Sequence, residues 1–307
     1  MSSGFKKLLI LPRVKIHNAN ALSSPFTIGF PAMTAWLGAT HALQRKLNAK
    51  GLDVIFSATG VVSHSIDLQI YRGANDFVSS IIGTGNPLDK TGSRSSFIEE
   101  ARCHAEVSLI IEVQKIKYAQ QDELIDHVST IMNAQMKMAG GDIRSFDSPE
   151  IIVVEEGDDL SLKRLNRKLM PGYALVSRQE LLEDAMSEGQ DALDALLDYL
   201  VIHHSCEQSD DDVQWQSKRK KTYDDIEGTY SSVGWVVPIA TGFYGINDIG
   251  EAKNQRDPEA PHRFAESIVT LGEFKMPYRF NSVEDMLWRY QYDEANNLYQ
   301  CCQSLNG

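Results

Sequence analysis

Leu8 to Leu11 is an unbroken apolar run, and the residues after it alternate: Val14 and Ile16 fall on one side, Arg13, Lys15 and His17 on the other. This pattern predicts a strand that starts fully buried and ends with one cationic face. Pro12 has no N–H for a ladder, so an edge or a bulge is expected there. Residues 18–31 are dense in Asn, Ser, Gly and Pro and read as a loop. Met33, Trp36, Leu37, Thr40, Leu43 and Leu47 then recur at helical spacing.

Residues 62–71 alternate cleanly, with Val62, His64, Ile66, Leu68 and Ile70 on the apolar side of a half-buried strand. GTGNPLDKTGSRSS, residues 83–96, is a Gly/Ser-rich connection holding Lys90 and Arg94. It lacks the Gly-Lys-Ser/Thr ending and the strand–loop–helix setting of a nucleotide-binding loop. Val107, Leu109, Ile111 and Val113 mark the next strand, entered at Arg102 and His104. A helix is expected over residues 122–138 with Gly140-Gly141 as its stop, and a short strand over 151–154. The order strand, helix, strand, strand, helix, strand is that of the ferredoxin-like split βαβ plan, which RNA-recognition domains share. The usual paired stacking aromatics are missing from these strands, so binding through loops and phosphates is expected rather than stacking on the sheet.

Beyond residue 156 the pattern is mixed α/β. SLKRLNRKLM (161–170) reads as a basic helix, 173–176 as a strand, 178–204 as an acidic helix, 234–244 as a strand, and 281–290 as a short helix capped by Ser282. Residues 207–232, with DDD, KRKK and DDIEG blocks, read as a mobile surface excursion. The expected organisation is therefore an RNA-binding domain over 1–156 and an acidic part over 157–307.

Net charge is −12, which argues against a polyanion partner until its distribution is read. Seven basic residues precede the first acidic one, Asp53. Through Tyr118 there are 13 Lys and Arg against 8 Asp and Glu; the remainder has 17 against 34. A basic first part suits a nucleic acid, and an acidic second part suits either a basic protein or plain solvation. No apolar run approaches the ~20 residues that a bilayer crossing needs, and the N-terminus is a poor secretory signal. Cys103, Cys206, Cys301 and Cys302 show no metal spacing, and a cytoplasmic setting is expected. His203-His204 with Cys206 lacks a second ligand pair. Neither metal nor cofactor is predicted.

Several phrases carry a resemblance. LPRVKIHNANALSSPFTIGFP with HALQRK, NPLDKTGSRSSFIEEARCHAEVSLII, MKMAGGDIRSF, RKLMPGYALVSRQELL, GWVVPIATGF and KNQRDPEAPHRFAES with LGEF occur in that order. Together they resemble the Csy-family, Cas-five-group subunit of type I-F CRISPR surveillance complexes over nearly the whole chain, residues 207–232 excepted. The resemblance implies a non-catalytic subunit that holds the 5′ handle of a CRISPR RNA, pairs with the large Csy subunit and touches the first backbone subunit, with target DNA met through the assembly. It also implies a thumb-like insertion at about 72–100. Candidate RNA-binding residues, chosen by chemistry and loop position, are Arg13, Lys15, Lys90, Arg94, Arg102 and Arg144 for phosphates and Asn18, Asn20 and Ser24 for base edges or the 2′-hydroxyl. Phe30 is a candidate base-stacker, with a core role the stronger alternative. Two other readings stand beside this one: a metal-independent ribonuclease using His17, His41 or His104, and a scaffold that binds protein only.

Overall fold

The computed structural model describes residues 4–85, 87–94, 96–155, 157–209, 212–218, 220–224, 229–232, 234–255 and 257–303. The chain is α+β, built on one large, curled antiparallel sheet of 11 strands. In chain order the main elements are β1 (Phe5–Asn20), α1 (Met33–Asn48), β2 (Ile55–Leu68), β3 (Arg102–Gln114), α2 (Gln121–Gln135), β4 (Lys137–Met138), β5 (Gly141–Ser145), β6 (Glu150–Glu155), α3 (Asp159–Leu169), β7 (Tyr173–Ser177), α4 (Gln179–Ser187), α5 (Ala192–Leu200), β8 (Trp235–Gly245), β9 (Ala265–Lys275), β10 (Arg289–Asp293) and β11 (Leu298–Cys302). The sheet order is β4–β5–β1–β3–β2–β7–β9–β8–β11–β10, with β6 also on β1. It curls far enough that Trp288, entering β10, exchanges two backbone bonds with Thr59 of β2, at 2.9 and 3.0 Å.

β1 follows its sequence pattern closely. Leu8 to Leu11 and Val14 are fully buried. The register against β3 slips between Leu11 and Val14, and Arg13 sits at φ 50°, so Pro12 marks a bulge. A second slip follows Ile16, with Asn18 at φ 60°. α1 buries Met33, Trp36, Leu37, Thr40, Leu43 and Leu47, the face its periodicity predicts. One core joins Leu9, Leu11, Val14 and the apolar face of α1 to Leu175, Ile239, Phe274 and Trp288.

Three elements differ from the sequence expectation, each for a local reason. α2 ends at Gln135, and Gly140 belongs to a hairpin: Met138 pairs with Gly141 across Ala139 and Gly140, both at positive φ (48° and 75°). That is the type I′ geometry of a tight β-turn, which a Gly-Gly pair also serves. The acidic helix is two helices, parted at Gly189, and His203 and His204 open a strand, His203–Ser209. At 281–290 there is a single 3₁₀ turn, Glu284–Met286, because Leu287 and Trp288 are drawn extended into the core and the chain goes on as β10. Ser282 does serve the turn, its Oγ accepting from the Glu284 N–H at 3.1 Å. In the 203–232 region the described backbone forms two ladders, His203–Ser209 with Asp212–Lys218 and Lys221–Asp224 with Thr229–Ser232, each pairing only with itself. Residues 210, 211, 219 and 225–228 of the expected excursion lie outside the described residues.

Candidate nucleic-acid interface

α1 and α2 pack on one face of the β1–β3–β2 strands. On the other face α3 covers only the end near Leu8, Ile10 and Ile110, through Leu162, Leu165 and Leu169. Where α3 stops, Arg13 marks the border. Its guanidinium donates to Glu106 at 3.2 Å and to the carbonyls of Met170 at 3.2 Å and Pro171 at 3.5 Å. Its backbone N–H donates to Ser108 Oγ at 3.1 Å. His64 completes this junction. Pro171 O accepts from its Nδ1–H at 2.6 Å, so Nε2 accepts from Ser108 Oγ–H at 2.7 Å. Burial lowers the His64 pKa below the usual imidazole value, in keeping with that neutral form.

Beyond the border the same face has no covering helix. β1 presents Lys15, His17, Asn18 and Asn20; β3 presents Arg102, His104 and Glu106; β2 presents Ser65 and Asp67; β5 presents Asp142 and Arg144. Lys15 keeps 59% of its side chain exposed, 3.9 Å from Glu106. The rings of His17 and His104 lie 4.2 Å apart at 19°, stacked across the two strands. His104 is oriented by the Asn18 N–H, which donates to its Nδ1 at 3.0 Å; the αL turn at Asn18 aims that N–H. Asp142 takes Lys137 Nζ at 2.8 Å, and this hydrogen bond holds its carboxyl below the usual range.

The sequence-chosen residues thus fall into three groups. Lys15, Asn18, Arg102 and Arg144 come together on the open face, with Arg102 partly engaged by Glu100 at 2.7 Å. Lys90 and Arg94 are exposed on the long insertion between β2 and β3, which leaves from the same end of the sheet. There Asp89 shapes the turn by accepting from Thr91 N at 2.8 Å and Ser93 N at 2.9 Å. The rest serve the fold. Arg13 bridges β1 to the 170–171 backbone. Asn20 closes on Leu22 at 3.1 and 3.2 Å. Ser24 is buried against Thr27 Oγ1 at 2.6 Å. Phe30 is 5% exposed and packs against Trp36 and Phe274, its core alternative.

Sequence reasoning named His17 and His104 only as separate catalytic candidates and missed that they stack. The signal lay in the two bulges, which set the register that pairs them. It missed exposed rings as well: Phe26 at the tip of the Leu22–Ser24/Thr27–Ile28 hairpin (70%), and Phe77 and Phe97 on the insertion (94% and 69%). Among the described residues no group of three or more His, Cys, Asp or Glu is placed to hold a metal, and no helix is long and apolar enough to cross a membrane.

Comparison with known proteins identifies the family. The family model described as CRISPR-associated protein (Cas_Csy2) matches residues 9–301. The chain belongs to the Csy2 family. It is similar to CRISPR-associated protein Csy2 of Pseudomonas aeruginosa (strain UCBPP-PA14), with 35% identity over 326 aligned positions covering 95% of this chain and 94% of that protein. The match runs from within β1 to within β11 and reaches every strand of the curled sheet, so the open face lies within the Csy2 family's shared extent.

Proposed function

We propose that this Csy2-family chain is a non-catalytic subunit of the type I-F CRISPR RNA-guided surveillance complex and that it holds the 5′ handle of the CRISPR RNA. Family membership supports the subunit role. The open sheet face carries the RNA-binding part of the reading. In this reading Lys15, Arg102 and Arg144 supply charge for phosphates, the His17–His104 stack supplies a flat surface, and the exposed Asn18 amide bonds a base edge or a 2′-hydroxyl. Lys90 and Arg94, with Phe77 and Phe97, give the insertion the mix of cations and rings that suits single-stranded RNA. We read the strand order β5/β6–β1–β3–β2 with α1 and α2 as a ferredoxin-like domain and the insertion at about 72–100 as its thumb. In the assembly the chain pairs with the large Csy subunit and touches the first backbone subunit, in the cytoplasm, and target DNA is met through the complex.

Geometry favours holding over cutting. Metal-independent cleavage sets an acid and a base on opposite sides of one phosphate. Two imidazoles stacked at 4.2 Å leave no room for a phosphate between them, and His41 lies on α1, behind the sheet. The test is ultraviolet crosslinking of handle RNA in the purified complex, with digestion to locate the peptides. Crosslinks within 13–20, 102–106 and 141–145 are expected; a handle crosslinked only elsewhere ends the reading. Incubation with precursor RNA runs in parallel, and specific cleavage that disappears in His17→Ala would establish the nuclease instead.

A further inference from the structure

We propose that the outer face of α4 and α5 is a docking surface for a basic amphipathic helix of another protein. The two helices pack inward through Leu181, Leu182, Ala185, Ala195, Leu196 and Tyr199 onto Val236 and Leu271 of β8 and β9. Outward, α5 shows Leu193 at 58% exposed and Leu197 at 48%; Val201, where the chain leaves the helix in extended form, is 39% exposed. Apolar residues every four positions are the pattern one helix offers another. On α4, Met186 is also exposed, at 50%.

Charge specifies the occupant. Between Gln179 and Leu200 there are seven carboxylates and no Lys or Arg. Arg178 pairs with Glu180, and Lys220 lies 3.4 Å from Asp198 and over the Tyr199 ring, which among the described residues leaves Glu183, Asp184, Glu188, Asp191 and Asp194 without an ion pair. Their field reaches Tyr199, whose hydroxyl pKa is raised by burial and then by Asp184 and Glu188. Such a face repels nucleic acid and anionic lipid alike, and it needs an apolar stripe flanked by cations to cover it. A second copy of this chain offers a basic helix, α3, with Lys163, Arg164, Arg167 and Lys168. Its own apolar residues Leu162, Leu165 and Leu169 are buried at home, so it lacks the apolar half. The occupant is therefore a helix from a different chain, which fits a protein that works inside a multi-subunit assembly, the reading this inference rests on.

Hydrogen exchange of residues 179–202 in the free chain and in the purified Csy complex tests this directly. Protection in the complex is expected. Two double variants, Leu193→Asp with Leu197→Asp and Glu188→Lys with Asp194→Lys, alter exposed positions, and each is expected to weaken association with the other Csy proteins about tenfold or more. Thermal melts and handle-RNA affinity of the free variants should match the parent. If the leucine pair destabilises the chain, Leu197→Gln replaces it. Equal exchange in and out of the complex overturns the proposal. So does weakening by the leucine variant alone, which means an apolar but not a basic occupant, and so does self-association of the free chain that Leu197→Gln abolishes. Loss of handle binding with α4–α5 protection intact would sink the RNA reading and leave this one standing.

Discussion

The two ends of β1 carry cations to opposite uses. At one end Lys6 lies between Glu112 and Glu284, 2.8 Å from each, and Arg289 reaches the same two carboxylates, 3.1 Å from Glu112. Ser57 Oγ donates to Glu112 at 2.8 Å. This cluster ties β1, β2 and β3 to the segment that closes the sheet, beside a cleft of about 790 Å³. At the other end Lys15 and His17 stand open beside Arg144. Both ends read alike in the sequence. A cation becomes a tie or a site according to how closely carboxylates hold it: Lys6 is 2.8 Å from two, whereas Lys15 is 3.9 Å from Glu106 and keeps 59% of its side chain exposed. Those carboxylates lie far along the chain from the cations they hold.

Removing a tie should cost stability and spare binding. Glu112→Ala takes away one of the two carboxylates that Lys6 and Arg289 share, leaving Glu284 alone to pair both, with Arg289 only 13% exposed. Breaking such a pair is expected to cost about 3 kcal/mol, read by urea unfolding, with handle-RNA affinity per folded molecule unchanged. Stability within ~0.5 kcal/mol of the parent would show that the cluster is a solvated surface network. A smaller loss is expected at the Arg13 junction. A Cβ on Gly172 would meet Leu169 O at 2.6 Å and His64 Nδ1 at 2.7 Å. Gly172→Ala should therefore cost about 1–3 kcal/mol.

The sequence makes the elements legible where one pattern decides them. The apolar run 8–11, the α1 stripe and the proline bulge could all be read directly, because local spacing sets them. What stayed hidden is register. Nothing local says that Arg13 faces Glu106 and the 170–171 backbone rather than solvent, or that His17 meets His104. Phe30 and Ser24 sit in a polar, loop-like stretch, yet both face inward, because the hairpin at 22–28 folds onto the core that Trp36 and Phe274 build. The closing of the sheet by Trp288 onto Thr59 is a contact between positions 229 residues apart, and no periodicity reports it.

Acid should expose the ties in order. Burial depresses His64, so the unfolded chain binds a proton there more readily than the folded one. Its contribution is complete above the ordinary imidazole pKa of 6.5 and is lost as pH falls through the folded value. Glu112 and Glu284 lie below the usual 4.5: burial raises both, and their bonds to Lys6, Ser57 and Arg289 outweigh it. Their contribution holds above 4.5 and fades below it. Stability measured by denaturant at stepped pH should therefore fall in two stages, the first absent in His64→Gln and the second reduced in Glu112→Gln. A single stage in the parent below 4.5 would mean that the junction does not depend on a neutral His64.

The smallest effect on folding is expected on the open face, and there it separates the two uses of charge. Lys15→Glu with Arg144→Glu changes exposed side chains on β1 and β5, so stability should move by no more than ~0.5 kcal/mol. Affinity for a single-stranded handle RNA should fall steeply. The slope of log affinity against log salt should flatten by about 1.4, since each lost phosphate contact removes ~0.7. Arg13→Gln sits only one bulge away and should do the reverse, lowering stability at the junction while leaving the salt slope as it was. If both variants flatten the slope equally, Arg13 reaches phosphate despite Glu106, and the border between tie and site belongs further down β1. If neither does, the cationic end of β1 is surface, and the handle must be held by the insertion that carries Lys90 and Arg94.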